Sequence, residues 1–138
     1  MSLTTEQARA VVVAAEARAE ALGIPVVVAV LDAGTHLTAF VRMDGAPLGS
    51  IDIALRKAKT AALFGIPSEA VWEYCRPGAP APGLELTNGG LAPYGGGVPL
   101  HDQTGVTGSV GVSGGTIAQD TEIAQAATAA FAGLQAHA

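Results

Sequence analysis

Apolar residues recur at helical spacing from Ala8 through Val11, Val12, Ala15 and Ala19 to Leu22, which predicts an amphipathic first helix. Thr4 and Gln7 stand in capping-box spacing ahead of it. Gly23 closes the helix and Pro25 prevents its continuation. The period then changes. Val26 to Leu31 is continuously apolar, as in a strand buried on both faces. Asp32-Ala33-Gly34-Thr35 reads as a hairpin turn. His36 to Met43 alternates, with Leu37, Ala39, Val41 and Met43 on one face and His36, Thr38, Phe40 and Arg42 on the other.

After a second turn at Asp44–Pro47, Ser50 is the expected N-cap of a helix reaching about Phe64. Ile51, Ala54, Leu55, Ala58 and Ala62 form its buried stripe, Asp52 and Arg56 pair on its solvated face, and Lys57 borders the buried surface. Gly65 and Pro67 end it, and Ser68 is expected to cap a short helix through Tyr74. Pro77–Gly83 must be a loop, and one that long is more often functional than accidental. Leu84–Thr87 reads as a short strand, Gly95–Pro99 as a bend with exposed backbone, and Val106–Val112 as another strand. Thr116 and Gln119 fit a second capping box before a final helix with Ile123, Ala127, Ala130, Phe131 and Leu134 inward. The order α-β-β-α-(α)-β-β-β-α predicts one α+β domain over residues 1–138, with a central antiparallel sheet of about five strands.

Composition adds an expectation about assembly. Apolar residues make up 49% and charged residues 14%, against roughly 25% charged in ordinary soluble domains. That leaves little polar surface to cover a monomer, so a dimer or higher homo-oligomer is expected. A net charge of −5 disfavours nucleic acid and anionic membranes as partners. All seven basic residues lie between Arg9 and Arg76, so side chains that hold an anion must come from the first half. The single cysteine, Cys75, excludes an internal disulfide. With no hydrophobic leader and no apolar run long enough for a bilayer, a cytoplasmic location is expected.

Gly111-Val112-Ser113-Gly114-Gly115 matches the nucleophile-elbow pattern between a strand and a helix. The only histidine downstream of Ser113 is His137, and an antiparallel layout lacks the parallel sheet that presents such an elbow, so a Gly-rich turn capping the helix is favoured. Free N–H groups of Gly114, Gly115 and Thr116 are a candidate anion site. His36, His101 and His137 have no metal-ligand spacing. Tyr74 and Cys75 could ligate iron, although a small core thiol is the better reading of Cys75. A site is expected if the fold gathers His36, Arg42 and Lys57 near the Gly95–Pro99 bend.

Asp32–Leu37 followed by Arg42-Met43-Asp44-Gly45-Ala46 resembles the first signature of the GlcG/HbpS-like haem-binding family. Ser50, Lys57–Ala61, Thr87–Gly90, Gly95–Leu100, Gly108–Gly115 and Gln119-Asp120 continue the resemblance in family order over nearly the whole chain. The resemblance implies a profilin-like α-β-α sandwich, oligomeric assembly, and haem or corrinoid association, the latter through the related C-terminal domain of PduO-type cobalamin adenosyltransferases. Haem would take Arg42 or Lys57 at its propionates and an apolar wall from Phe40, Val98 and Leu100. Its iron ligand would be His36 or His101. Asn88, Gly95, Gly96, Gly97 and Pro99 complete the expected small-molecule ligand site. Two alternatives stay open. One is a cofactor-free enzyme acting on a small carboxylate-bearing metabolite, anchored by Arg42 and Lys57, with His36, Lys57, His101 or Asp120 as catalytic candidates. The other is a structural accessory protein.

Overall fold

The computed structural model describes residues 2–136, so His137 lies outside them. Helix α1 (Thr5–Leu22) begins where Thr4 and Gln7 exchange capping-box hydrogen bonds, and it ends at Gly23 in the left-handed conformation. Strands β1 (Val27–Asp32) and β2 (Leu37–Arg42) form the expected hairpin. Helices α2 (Ser50–Phe64) and α3 (Ser68–Cys75) follow, then β3 (Gly97–Asp102), β4 (Gly105–Ser113) and helix α4 (Ile117–Ala136). The sheet order is β2-β1-β4-β3 with every neighbouring pair antiparallel.

Alternate residues of the central strands face opposite layers. Val28 and Val30 of β1 join Val110 and Val112 of β4 against Val11 and Ala15 of α1 and Ile123 and Phe131 of α4. Val27 and Ala29 turn the other way, onto Ala54 of α2. The result is an α-β-α sandwich, with α1 and α4 on one face of the sheet and α2 on the other. An unbroken apolar run on β1 is what burial on both faces requires.

The sheet has four strands rather than about five, because Leu84–Leu86 is a single 3-10 turn. Leu86 N–H bonds Gly83 O and Thr87 N–H bonds Leu84 O, at 2.9 and 3.0 Å, so this backbone is satisfied locally and joins no ladder. Ser50 is the first helical residue of α2, and its N-cap is Gly49, which has no side chain to cap with. Ser68 does not cap α3 either. Its hydroxyl donates to Tyr94 O at 2.6 Å and accepts from Gly97 N–H at 2.9 Å, fastening the start of β3. In β2 a register shift leaves Thr38 as an extra residue and sets Leu37 opposite Leu31. That bulge moves Leu37 to the α2 side, while Ala39, Val41 and Met43 stay with the larger core.

The expected exposed bend at Gly95–Pro99 is also buried, apart from the half-buried Val98, and Gly97 onward is strand. Helix α2 lies directly on the sheet backbone there. Gly97 and Gly111 are partners across β3 and β4. A Cβ on Gly111 would collide with Ala54 O, and one on Gly97 with Lys57 O. Beside them Ser109 Oγ donates to Ala58 O at 2.6 Å. Gly111→Ala should therefore destabilise the fold by about 1–3 kcal/mol or more, measured by urea unfolding. Gly133→Ala, at a helical position with nothing within 4 Å of the added Cβ, should instead stabilise it by roughly 0.5–1 kcal/mol.

Candidate functional site

Helix α2 carries Arg56, Lys57 and Lys59, and the fold sends them to two different places. Lys57 goes inward and is only 1% exposed. Its Nζ donates to Val112 O at 2.8 Å and to Asp120 Oδ2 at 3.0 Å, and it lies 5.4 Å from the centroid of the Tyr94 ring. Burial pushes the Lys57 pKa below its ordinary value, and the Asp120 carboxylate pulls it partly back. Asp120, 2% exposed, uses its other oxygen to accept from Gly115 N–H at 2.8 Å. Thr116 N–H bonds Gln119 Oε1 at 2.9 Å, completing the expected capping box. The α4 N-terminus proposed as an anion site is thus filled by the chain's own side chains.

Arg56 and Lys59 face a cleft of about 230 Å³ between α2 and the β1–β2 hairpin, lined also by Leu31, Thr35, Leu37, Leu55 and Gly89. Three consecutive residues, Asn88, Gly89 and Gly90, have φ of 55°, 75° and 105°. That conformation, which glycine and asparagine tolerate best, brings their carbonyls to the cations. Arg56 Nη1 bonds Gly89 O and Gly90 O, Lys59 Nζ bonds Asn88 O, and Arg56 Nε holds Asp52 Oδ2 at 2.7 Å as the spacing predicts. A guanidinium and an ammonium with donors to spare, set beside three leucines, can take a ligand with an apolar body and an anionic edge.

The hairpin turn at the cleft's rim is held by Asp32. Its Oδ1 accepts from the N–H groups of Gly34 and His36, both at 2.9 Å. The same oxygen lies 3.3 Å from Nδ1 of His36, whose side chain is 81% exposed. Burial is the largest single influence on the Asp32 pKa and raises it, but the N–H donors of His36 and Gly34 and the imidazole together outweigh it, so the net shift is downward.

Comparison with known proteins is decisive on kinship. Residues 3–129 match the family described as haem degrading protein HbpS-like. The chain belongs to the HbpS-like family. It is 38% identical over 134 residues to a Citrobacter freundii chain described as an uncharacterized 15.0 kDa protein in the dhaT-dhaS intergenic region, covering 96% of this chain and 94% of that one. It is 37% identical over 132 residues to the Citrobacter freundii corrinoid adenosyltransferase PduO, covering 95% of this chain but only 39% of the relative. The crystal structure of a PduOC:heme complex superposes with a TM-score of 0.89 at 36% identity, covering 94% of this chain and 95% of that one.

In this HbpS-like chain the expected cluster of His36, Arg42 and Lys57 does not form. His36 and Arg42 stand at opposite ends of β2, roughly 20 Å apart at strand rise. Arg42 Nη1 points to Ala46 O at 3.5 Å, and Lys57 is sealed beneath the sheet's end. Gly95, Gly96 and Gly97 clasp Thr121 and Lys57 and line no cleft with His36. His101 is exposed on β3, the edge opposite β2, about three strand spacings or 14 Å from His36's edge. Phe40 pairs with Ala29 on the exposed edge strand, and Pro99 is buried in β3. Tyr74 is exposed, whereas Cys75 is buried and its thiol donates to Val71 O at 3.6 Å. Asn88 does reach the cleft, through its carbonyl. Arg56 and Lys59 are absent from the site expected from sequence. Their i,i+3 spacing beside Leu55, together with the Asn-Gly-Gly run, is the signal that locates them.

Lys57→Met or Asp120→Leu alone should destabilise the protein by about 3–5 kcal/mol, because each strands a buried partner, and the double variant should recover much of the loss. Urea unfolding of the four proteins measures this. The folded pKa of Lys57 lies below its unfolded value, so the unfolded chain binds the proton more tightly. Wild-type stability relative to Lys57→Met should therefore rise with pH through the interval ending at the ordinary value of 10.5. Unfolding at pH 8 and pH 10 tests the sign.

Proposed function

We propose that this protein is a cytoplasmic homo-oligomer that binds haem or a related tetrapyrrole at the α2–hairpin cleft. The ligand's carboxylates would lie at Arg56 and Lys59, and His36 would offer the iron ligand. The observation that carries this reading is the cleft's division into a leucine floor and a cationic side. A tetrapyrrole has the matching division, a flat apolar body with carboxylates along one edge. Asp32 beside Nδ1 of His36 leaves Nε2 free, the arrangement by which a carboxylate orients a metal-binding imidazole. Bound haem would supply an iron centre for redox or gas-ligand chemistry, while the protein sets its orientation and charge. Kinship with a PduOC:heme complex supports the same ligand class.

A cleft of about 230 Å³ can seat one edge of a macrocycle without enclosing it, so the remainder would rest on a second copy. Exposed Leu37 and Phe40 on β2, with Val13 beside Phe40, supply apolar surface for that contact. The cytoplasmic assignment rests on the lone, unpaired Cys75. No described helix is long and apolar enough to cross a membrane.

Hemin titration followed at the Soret band tests the reading. Binding should saturate, and Arg56→Ala with Lys59→Ala should weaken it by tenfold or more, as expected for the loss of charge-assisted hydrogen bonds. His36→Ala should move the Soret maximum, and His101→Ala should not. A linear, non-saturating response, or an unchanged response in the Arg56/Lys59/His36 triple variant, would overturn the assignment.

A further inference from the structure

A second hollow lies away from the tetrapyrrole cleft, where α3 meets the segment before β3. Trp72 and Tyr94 form its walls, Pro93, Gly95 and Ile117 its floor and ends, and Glu69 its rim. Its volume is about 340 Å³, at the small end of ligand sites. Glu69 and Trp72 are three residues apart on α3, so the carboxylate and the indole project from the same side of the helix. Tyr94 is held from both directions. Ala92 N–H bonds Thr60 Oγ1 at 3.0 Å, and Tyr94 O accepts from Ser68 Oγ at 2.6 Å. The backbone that carries Tyr94 is thus anchored, and the Trp72 and Tyr94 side chains remain 43% and 40% exposed.

Charge distinguishes this hollow from a merely apolar patch. Glu69 is the only charged residue lining it, and no basic side chain does. Some surface carboxylates are matched, Asp52 with Arg56, Glu73 with Arg76 and Glu122 with Arg18, but none of those lines an aromatic hollow. Among the described residues Glu69 forms no ion pair. Two π faces beside an unmatched carboxylate attract a cation that sheds water easily, since ring quadrupoles favour positive charge and a weakly hydrated cation loses little on entry. The Lys57 ammonium near the Tyr94 ring is already neutralised by Asp120, so it leaves the hollow's own charge negative.

We propose that the Trp72–Tyr94 hollow binds a small alkylammonium cation, with the aromatic rings on its alkyl groups and Glu69 balancing its charge. The site is separate from the tetrapyrrole cleft and does not depend on it. Trp72 is the only tryptophan in the chain, so its fluorescence reports directly on occupancy. Choline titrated into the full chain at constant ionic strength should change Trp72 emission saturably, with a dissociation constant on the order of millimolar, as befits a few cation–π contacts. The neutral isostere 3,3-dimethylbutan-1-ol should bind at least about fivefold more weakly. Glu69→Gln should weaken choline about threefold, the scale of one exposed charge contact, and leave hemin titration unchanged. Tyr94→Leu, followed by calorimetry, should weaken choline binding more than binding of the isostere and so narrow the preference for charge. Equal response to choline and its isostere, or no change in Glu69→Gln, would overturn the proposal. So would a Trp72 shift produced by protein dilution and indifferent to choline, which would assign this face to a second copy of the chain.

Discussion

An ammonium group shut away from water needs acceptors and a counter-charge in the interior, and meeting that demand at Lys57 constrains most of its surroundings. Its bonds to Val112 O and Asp120 Oδ2 tie α2 to the end of β4 and the first turn of α4. The second oxygen of Asp120 caps Gly115 N–H, so one carboxylate serves both the buried cation and the helix end. Space is set by the same residue. A Cβ on Gly96 would meet Lys57 Nζ, and one on Gly97 would meet its carbonyl oxygen. Gly96 and Gly97 are thus a consequence of how closely α2 lies on the sheet, whereas Gly95 answers to Thr121 and Ile117 of α4. Rotating α2 by one residue would swing Lys57 by about 100° and leave Asp120 alone in the interior, an error worth several kcal/mol.

Fixing Lys57 inward also decides where its neighbours point. Around α2, Leu55, Lys59, Asp52 and Arg56 fall within an arc of about 100°, on the side away from Lys57. That arc meets the β1–β2 hairpin, and it explains why an apolar floor and two cations occur together in one cleft. The hairpin contributes Leu31 and, through the β2 bulge, Leu37. Without the extra residue Thr38, Leu37 would face α1 and the cleft would lose a wall. The Asn88–Gly90 carbonyls then restrain Arg56 and Lys59 by backbone contacts, which hold the cations in place without cancelling their charge.

Local rules were legible from the residues wherever they act within a few positions. The Thr4 and Thr116 capping boxes, the Gly23 helix end, the Asp52–Arg56 pair and the doubly buried β1 all follow from short-range chemistry. What sequence periodicity misses is set at long range. Leu84–Thr87 has a strand's composition, but its backbone bonds go to residues three to six positions away and to no other strand. The alternation of β2 reads cleanly until a bulge, invisible in side-chain pattern, shifts Leu37 across the sheet. Helical geometry sets Lys57 about 100° from the centre of the buried stripe and so at its border, and the partner that draws it inward, Asp120, lies sixty-three residues away. The expected site grouped residues by family block and chemical type. The sheet instead separates His36 and Arg42 by the length of a strand, and His36 and His101 by its full width.

Charge distribution gives the site a character that net charge hides. A chain of net charge −5 repels an anionic ligand at a distance, but at physiological salt that field fades over about 8 Å. Within the cleft, only the nearest groups count. There a ligand bound as proposed would meet Lys59 and Arg56, the latter already paired with Asp52, across a surface of leucines and uncharged backbone, where low local polarity strengthens each contact. Slow approach and firm local grip are compatible, because the first depends on the summed field and the second on short-range desolvated contacts. The same separation lets the opposite sign rule at Glu69, on the far side of α2's buried lysine. One helix carries three cations, and the fold turns one inward as structure and leaves two outward at the cleft.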